Sequence, residues 1–262
     1  LAALVLLTIL LWSRATSALP QSCAGAEPPL VTTLDVRQPN TLAEPAPRAS
    51  YRDPAFGRCV TRVTDRTGDV ESGDPSRGLK DEYSRVQAWN ADGSLFLLRG
   101  LAGTTYVWDA ATLRKVRKLP DVVETEPRWD ATDPKILWAN DGTRLLRVDA
   151  TTGEVTTWRD FAGVVPGRTL TYVWTRWEGS PSADGRTFGL MAEDEAYEVV
   201  AFLVYDLAAD RVVATRDVSA FPAARATDNV SISLSGRFFL AACDICPAGT
   251  LGTDANPCGL MV

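Results

Sequence analysis

Histidine is absent from all 262 residues, and that absence excludes more chemistry than any other feature of the chain. No Ser-His-Asp triad, Cys-His dyad, imidazole general base or His-ligated metal can be built from these residues. Cation excess is missing too: 27 Lys and Arg stand against 33 Asp and Glu, a net charge of −6. Phosphate neutralisation needs clustered basic residues, so nucleic acid is not expected as a partner. No Gly-rich phosphate loop, dinucleotide fingerprint or EF-hand loop occurs, and no helical period of useful length follows the first residues. The hydrophobic share of 45% and charged share of 23% are those of a globular protein, which argues against wholesale disorder.

The only long apolar run, LAALVLLTILLW, opens the chain and has twelve residues. That is short for a span of ~30 Å of hydrocarbon but fits the apolar region of a signal peptide. Small residues follow, and cleavage after Ala18 would put Thr16 and Ala18 at the small-residue positions. Residues 1–18 are therefore read as a partial signal peptide, with a buried apolar helix or uncleaved anchor as the alternative. A lipid-modified Cys23 fits less well, because Pro and Gln precede it in LPQSC. The expectation is a secreted or periplasmic protein with no membrane span beyond the leader, working as a monomer.

Export makes disulfides the default for cysteine. Of Cys23, Cys59, Cys243, Cys246 and Cys258, the last three are clustered and are the disulfide candidates; the odd total leaves one thiol over. A zinc site would need a fourth ligand that no His or neighbouring Cys provides, so neither metal nor cofactor is expected.

Residues 19–50, rich in Pro and Ala, read as a linker or N-terminal arm. From Tyr51 onward, short β-branched and aromatic runs alternate with Gly, Asp, Asn and Pro turns, as in CVTRVTD, SLFLLRG, TTYVWD, KILWAN and GRFFLAAC. Each run is the length of a strand bounded by turn chemistry, so the chain is all-β. Two elements then repeat. The first aligns on Asn90, Asp130, Ser182 and Ser233, at spacings of 40, 52 and 51 residues. The second is an apolar strand ending in Asp109, Asp149 or Asp206, each opening a turn; Gly153 suits a left-handed position in one of them. Two hairpins per unit make four strands, the blade of a β-propeller. A propeller over residues 51–262 is expected, with GLMV starting the third strand of a fourth unit, CVTRVTD a candidate for completing the last blade, and seven or eight blades in a full-length protein.

The segments DPAFGRCVTRVTD, EYSRVQAWNADGS and EGSPSADGR, with the Asp turns, resemble exported bacterial WD40-like and Tol-type propellers. DPAFGRCVTRVTD followed by AWNADGS is similar to propeller polysaccharide lyases of the oligogalacturonate and ulvan type. That resemblance implies a propeller fold and β-elimination on uronate glycans, carried by His, Tyr and Arg and in some members a metal. With no His here, no catalytic residue carries over.

The first strand of each blade lines the central channel. Repeat alignment puts Arg85, Thr125, Trp177 and Asp228 at one level and Val86, Glu126, Glu178 and Asn229 at the next, with Tyr83, Gln87, Arg128 and Arg176 nearby. The candidate ligand-binding residues are Tyr83, Arg85, Gln87, Glu126, Arg128, Arg176, Trp177, Glu178, Asp228 and Asn229. Aromatic faces cover the apolar face of a sugar, and Arg pairs with carboxylates or sulfates. Trp89 and Trp129 share a repeat position and are expected in the blade core, whereas Trp174 and Trp177 break the pattern. The function expected is a carbohydrate- or envelope-protein-binding module; the alternative is a lyase. A lyase would need a cation from Arg85, Arg128 or Arg176, and Tyr83 or Tyr172 as base with its pKa lowered from ~10. Glu126 and Glu178 would make a glycosidase pair only at a suitable separation.

Overall fold

The computed structural model describes residues 23, 32–36, 38, 43–66, 68–218, 227–243 and 260–261. The expected signal peptide at residues 1–18, Cys246 and Cys258 lie outside the described residues. The chain divides into two units, with the boundary between Thr64 and Asp65. In the first, β1 (Ser50–Arg52) and β2 (Cys59–Thr61) form a two-stranded antiparallel sheet. Thus β2, expected to complete a blade, is paired with β1 instead. A disulfide joins Cys23 to Cys59 and ties the Pro/Ala-rich arm to this hairpin.

The second unit is a run of antiparallel meanders. Its first sheet is β3 (Leu79–Lys80), β4 (Leu95–Gly100), β5 (Thr105–Asp109) and β6 (Arg114–Lys118). The second is β7 (Thr125–Trp129), β8 (Ile136–Asp141), β9 (Arg144–Asp149) and β10 (Val155–Asp160). The third is β11 (Leu170–Trp174), β12 (Thr187–Asp194), β13 (Val199–Asp206) and β14 (Arg211–Asp217). In the fourth, β15 (Thr227–Ile232), β16 (Phe239–Cys243) and β17 (Leu260–Met261) follow in order, so GLMV supplies the third strand as expected. Apart from a 3-10 turn at Asp121–Glu124, the described residues hold no helix in these sheets, and none is long and apolar enough to cross a membrane.

Alternation along the middle strands explains why the sheets stack. In β8, Ile136 and Trp138 face the third sheet with Phe188, Leu190 and Leu203, whereas Leu137 and Ala139 face the first with Leu97 and Val107. In β12, Leu190 and Ala192 point back to the second sheet, while Met191 joins Val230 and Ala241 of the fourth. A middle strand buried on both faces reads as one continuous apolar run, which is how ILWA and FGLMA stand in the sequence. Backbone bonds also cross between sheets: Val173 N donates to Gly142 O at 3.0 Å and Val230 N to Thr175 O at 3.2 Å.

The two repeated turns are the same device each time. The amide of Asn90, Asp130, Ser182 or Ser233 donates to the carbonyl of Leu95, Ile136, Thr187 or Phe238 at 2.8–3.0 Å. In three of them the side chain returns the bond, Asn90 Oδ1, Ser182 Oγ and Ser233 Oγ accepting the amide of that same residue. Asp130 instead caps Thr132 and Asp133 and takes Trp138 Nε1 at 2.9 Å. In the second turn, Asp109, Asp149 and Asp206 each accept amides two or three residues on.

Four residues after each of these aspartates the backbone is left-handed, at Leu113 (φ 53°), Gly153 (φ 78°) and Asp210 (φ 44°). Only glycine adopts that conformation without a Cβ clash. Leu113→Gly is therefore expected to raise stability by about 1 kcal/mol, read as a melting temperature higher by about 2–4 °C. A lower melting temperature would mean that packing of the half-buried leucine outweighs its backbone strain.

Candidate functional site

The inner strands do not run true. Register slips between Thr125 and Arg128, between Leu170 and Tyr172, and between Thr227 and Asn229. Glu126 and Asp228 sit inside two of these bulges, a common way of re-aiming a side chain beside a site. Non-glycine residues with positive φ gather in the same region: Glu126 (51°), Arg176 (56°) and Trp177 (72°). Such strain persists only where surrounding contacts fix it.

Glu126 and Arg128 provide those contacts. Beyond β11, residues 175–179 leave the ladder and turn toward the fourth sheet, so their backbone groups need partners. Glu126 is 2% exposed; its Oε2 accepts Thr175 N at 3.0 Å and Thr175 Oγ1 at 2.9 Å, and its Oε1 accepts Trp177 N. Arg128, 8% exposed, serves the carbonyls: Nε donates to Gly179 O at 3.1 Å and a terminal nitrogen to Trp177 O at 2.6 Å. One carboxylate takes the N–H groups and one guanidinium the C=O groups. Burial pushes the Arg128 pKa down, against the attraction of Glu126 and Glu82. Both carboxyl oxygens of Glu126 are thus committed to this segment.

The segment so held presents Glu178, where three sheets meet. Tyr83 OH donates to Glu178 Oε1 at 2.9 Å, and Arg85 forms an ion pair with Oε2. From the fourth sheet, Asn229 Nδ2 donates to Glu178 Oε2 at 3.1 Å and to Asp228 Oδ2 at 3.0 Å. Tyr83 and Arg85 are exposed, so this cluster opens to solvent. The hydrogen bond to Glu178 raises the Tyr83 pKa, and so does the charge of that carboxylate. A base for β-elimination requires the opposite shift.

Arg176 is turned away from the cluster, pairing with Glu193 and donating to Thr227 O at 2.5 Å. Gln87 Oε1 accepts Trp89 N at 3.2 Å. Trp129 is buried in the core as expected, its Nε1 donating to Ala88 O at 2.7 Å. Trp89 is not buried: it is 46% exposed, resting on Phe96 with ring centroids 4.8 Å apart. The fraying of the first sheet explains this, since β3 ends at Lys80 and Trp89 keeps only an isolated bridge to Phe96. Cys243 is buried, its Sγ 3.8 Å from Thr227 Oγ1.

Three participants were not foreseen from sequence. Glu82 is 4% exposed and pairs with Arg99, whose guanidinium lies 5.0 Å above the Trp177 ring. Burial pushes the Glu82 carboxyl up, opposed chiefly by Arg99, and its Oε2 has no hydrogen-bond partner among the described residues. Glu193 neutralises Arg176. The sole signal for Glu82 is its place before Tyr83 in EYSR; Arg99 and Glu193 lie on middle strands, where residue type alone marks nothing. Lys80, Arg99 and Arg128 act on Glu82 and Arg128 also on Glu126, Arg176 pairs with Glu193, and at the solvent-open cluster Arg85 pairs with Glu178 while Asn229 links Glu178 to Asp228. Among the described residues no group of three or more His, Cys, Asp or Glu side chains is placed to hold a metal ion.

No family model matches the chain, and no curated protein does. Solved structures do. An oligogalacturonate lyase in complex with manganese aligns at a TM-score of 0.50 and 15% identity, over 74% of this chain and 52% of that one. The oligogalacturonate lyase of Vibrio parahaemolyticus aligns at 0.50 and 11%, over 77% and 53%. A chain of the mitotic checkpoint complex aligns at 0.37 and 13%, over 64% and 48%. This chain spans about half the length of each. At such identities the likeness to the two lyases is one of fold, and together with the stacked four-stranded meanders it establishes that the chain is a β-propeller.

Proposed function

We propose that this propeller is a secreted or periplasmic binding module whose ligand is a carbohydrate, held at the Glu178 cluster. The observation that carries the reading is the convergence of Tyr83, Arg85 and Asn229, from two other sheets, on one carboxylate at a solvent-open position. A hydroxyl-rich ligand suits such a set: acceptor capacity at Glu178, Asp228 and the Tyr83 oxygen, the remaining N–H groups of the exposed Arg85, and aromatic rings nearby. Bulges and strained backbone hold these groups in place before any ligand arrives, which lowers the ordering cost of binding. The Cys23–Cys59 disulfide supports an oxidising compartment.

The rival lyase reading draws on the resemblance to propeller lyases. It finds less support in the site, where Tyr83 is shifted away from basicity and the candidate cations are already paired.

Binding of the purified chain to an immobilised glycan panel tests the proposal. Arg85→Ala and Asn229→Ala are expected to weaken the best ligand at least tenfold, Arg85→Ala without lowering the melting temperature and Asn229→Ala, at a buried position, with a loss of a few degrees. Unchanged binding by both variants would remove the site assignment. A rise in near-ultraviolet absorbance on incubation with polygalacturonate would replace binding with elimination. Capture of envelope proteins with no glycan bound would make the partner a protein.

A further inference from the structure

We infer that the ligand is a neutral oligosaccharide, and that Tyr197 provides a ring-stacking subsite for it at the end of the third sheet where β11 begins. This inference rests on the carbohydrate reading above and adds the ligand's charge class and a second contact region.

Rings form a continuous series away from the Glu178 cluster. Trp177, next to Glu178 in sequence, meets Trp174 edge-on with centroids 6.0 Å apart. Trp174 stacks on Tyr172 at 4.8 Å, and Tyr172 contacts Tyr197 at 6.0 Å. In an antiparallel meander the first strand begins at the end where the second turns into the third. Tyr197, in the turn between β12 and β13, therefore stands at the end where β11 begins, and Trp177 lies further along.

Tyr197 is presented at a cost. Its φ is 59°, a region where glycine would be cheaper, yet the residue is a bulky tyrosine that is 61% exposed. Asp194 keeps the turn in that shape: its carbonyl accepts Tyr197 N at 2.9 Å, and its Oδ1 accepts Ala196 N at 2.9 Å and Glu198 N at 3.1 Å. A rigid aromatic face held out by a strained turn, and left largely uncovered, is poised for a ligand and contributes nothing comparable to the core.

Charge decides the class of sugar. At the solvent-open cluster Arg85 is already paired with Glu178, and Asp228 adds a second carboxylate, so a chain of uronates would meet excess negative charge there. Neutral hydroxyls meet fixed acceptors instead.

The experiment is a titration of the purified chain, followed by tryptophan emission and by calorimetry. The probes are cellohexaose, xylohexaose, mannohexaose and hexagalacturonate, with the corresponding dimers. One neutral hexamer is expected to bind at least tenfold tighter than its dimer. Tyr197→Ala should bring the hexamer down to the level of the dimer and leave the dimer unchanged, and Tyr197→Trp should restore the difference. Hexagalacturonate binding as tightly as the best neutral hexamer overturns the charge class. Hexamer binding unaltered in Tyr197→Ala, while Arg85→Ala still weakens it, overturns the stacking subsite and leaves the carbohydrate reading standing. No binding of any of these sugars overturns both.

Discussion

Gly179→Ala is expected to cost more than about 3 kcal/mol, or to prevent folding altogether. A Cβ at this position would stand 2.9 Å from Thr175 Cγ2 and closer still to Thr175 Cβ and the Val230 carbonyl oxygen. None of these atoms can yield cheaply. Val230 belongs to the β15 ladder and its amide bonds to Thr175 O, while Gly179 itself is held by Arg128 at its carbonyl and by Thr175 Oγ1 at its amide. Gly163→Ala is the control, because an added Cβ there meets nothing within 4 Å. Its melting temperature should stay within about 2 °C of the parent, which matches the ±0.5 kcal/mol of an ordinary surface change. Should Gly179→Ala melt as close to the parent as Gly163→Ala does, the tight approach of the third and fourth sheets at this point would be refuted.

Glu126→Ala carries the second large effect, a loss of about 3–5 kcal/mol and roughly 10 °C in melting temperature. The substitution strands the Thr175 and Trp177 amides and the Thr175 hydroxyl inside the protein, and it leaves the neighbouring Arg128 with Glu82 alone of its two buried countercharges. Glu126→Gln keeps the shape but turns an amide NH2 toward one of those donors, so it should cost about half as much. Because residues 175–179 present Glu178, ligand affinity should fall in both variants even under conditions where they remain folded. Urea denaturation of the three proteins measures the first effect and glycan titration the second. Loss of less than about 1 kcal/mol in Glu126→Ala would show that residues 175–179 hold themselves in place.

The four-stranded unit and its two recurring turns were legible in the sequence. Asn90, Asp130, Ser182 and Ser233 do occupy one turn, and Asp109, Asp149 and Asp206 another, because a hairpin sets its own local requirements: a side-chain acceptor where the strand ends, and a residue able to go left-handed. Gly153 announced that conformation, whereas Leu113 and Asp210 conceal it, since residue type marks a left-handed position clearly only when it is glycine. Trp89 and Trp129 show where repeat logic stops. They share a position in the repeat, but only Trp129 has a complete inner strand around it.

Of the candidate site, repeat alignment put Arg85 at one level and Glu178 and Asn229 at the next, and so placed the three near one another. It did not separate the groups that face solvent from those that serve the backbone. Glu126 and Arg128 have the look of binding residues, yet they spend their polar atoms on the irregular segment at 175–179, and Arg176 spends its own on Glu193 and Thr227. The same limit applies to Cys23 and Cys59, 36 residues apart. The sequence by itself determined the strands, the turns and their fourfold recurrence, because these depend on contacts between residues close in the chain. Only the tertiary structure decided which charge meets which. Those pairings join residues as much as 95 positions apart, as Tyr83 and Glu178 are, and depend on bulges that re-aim a side chain by a single residue.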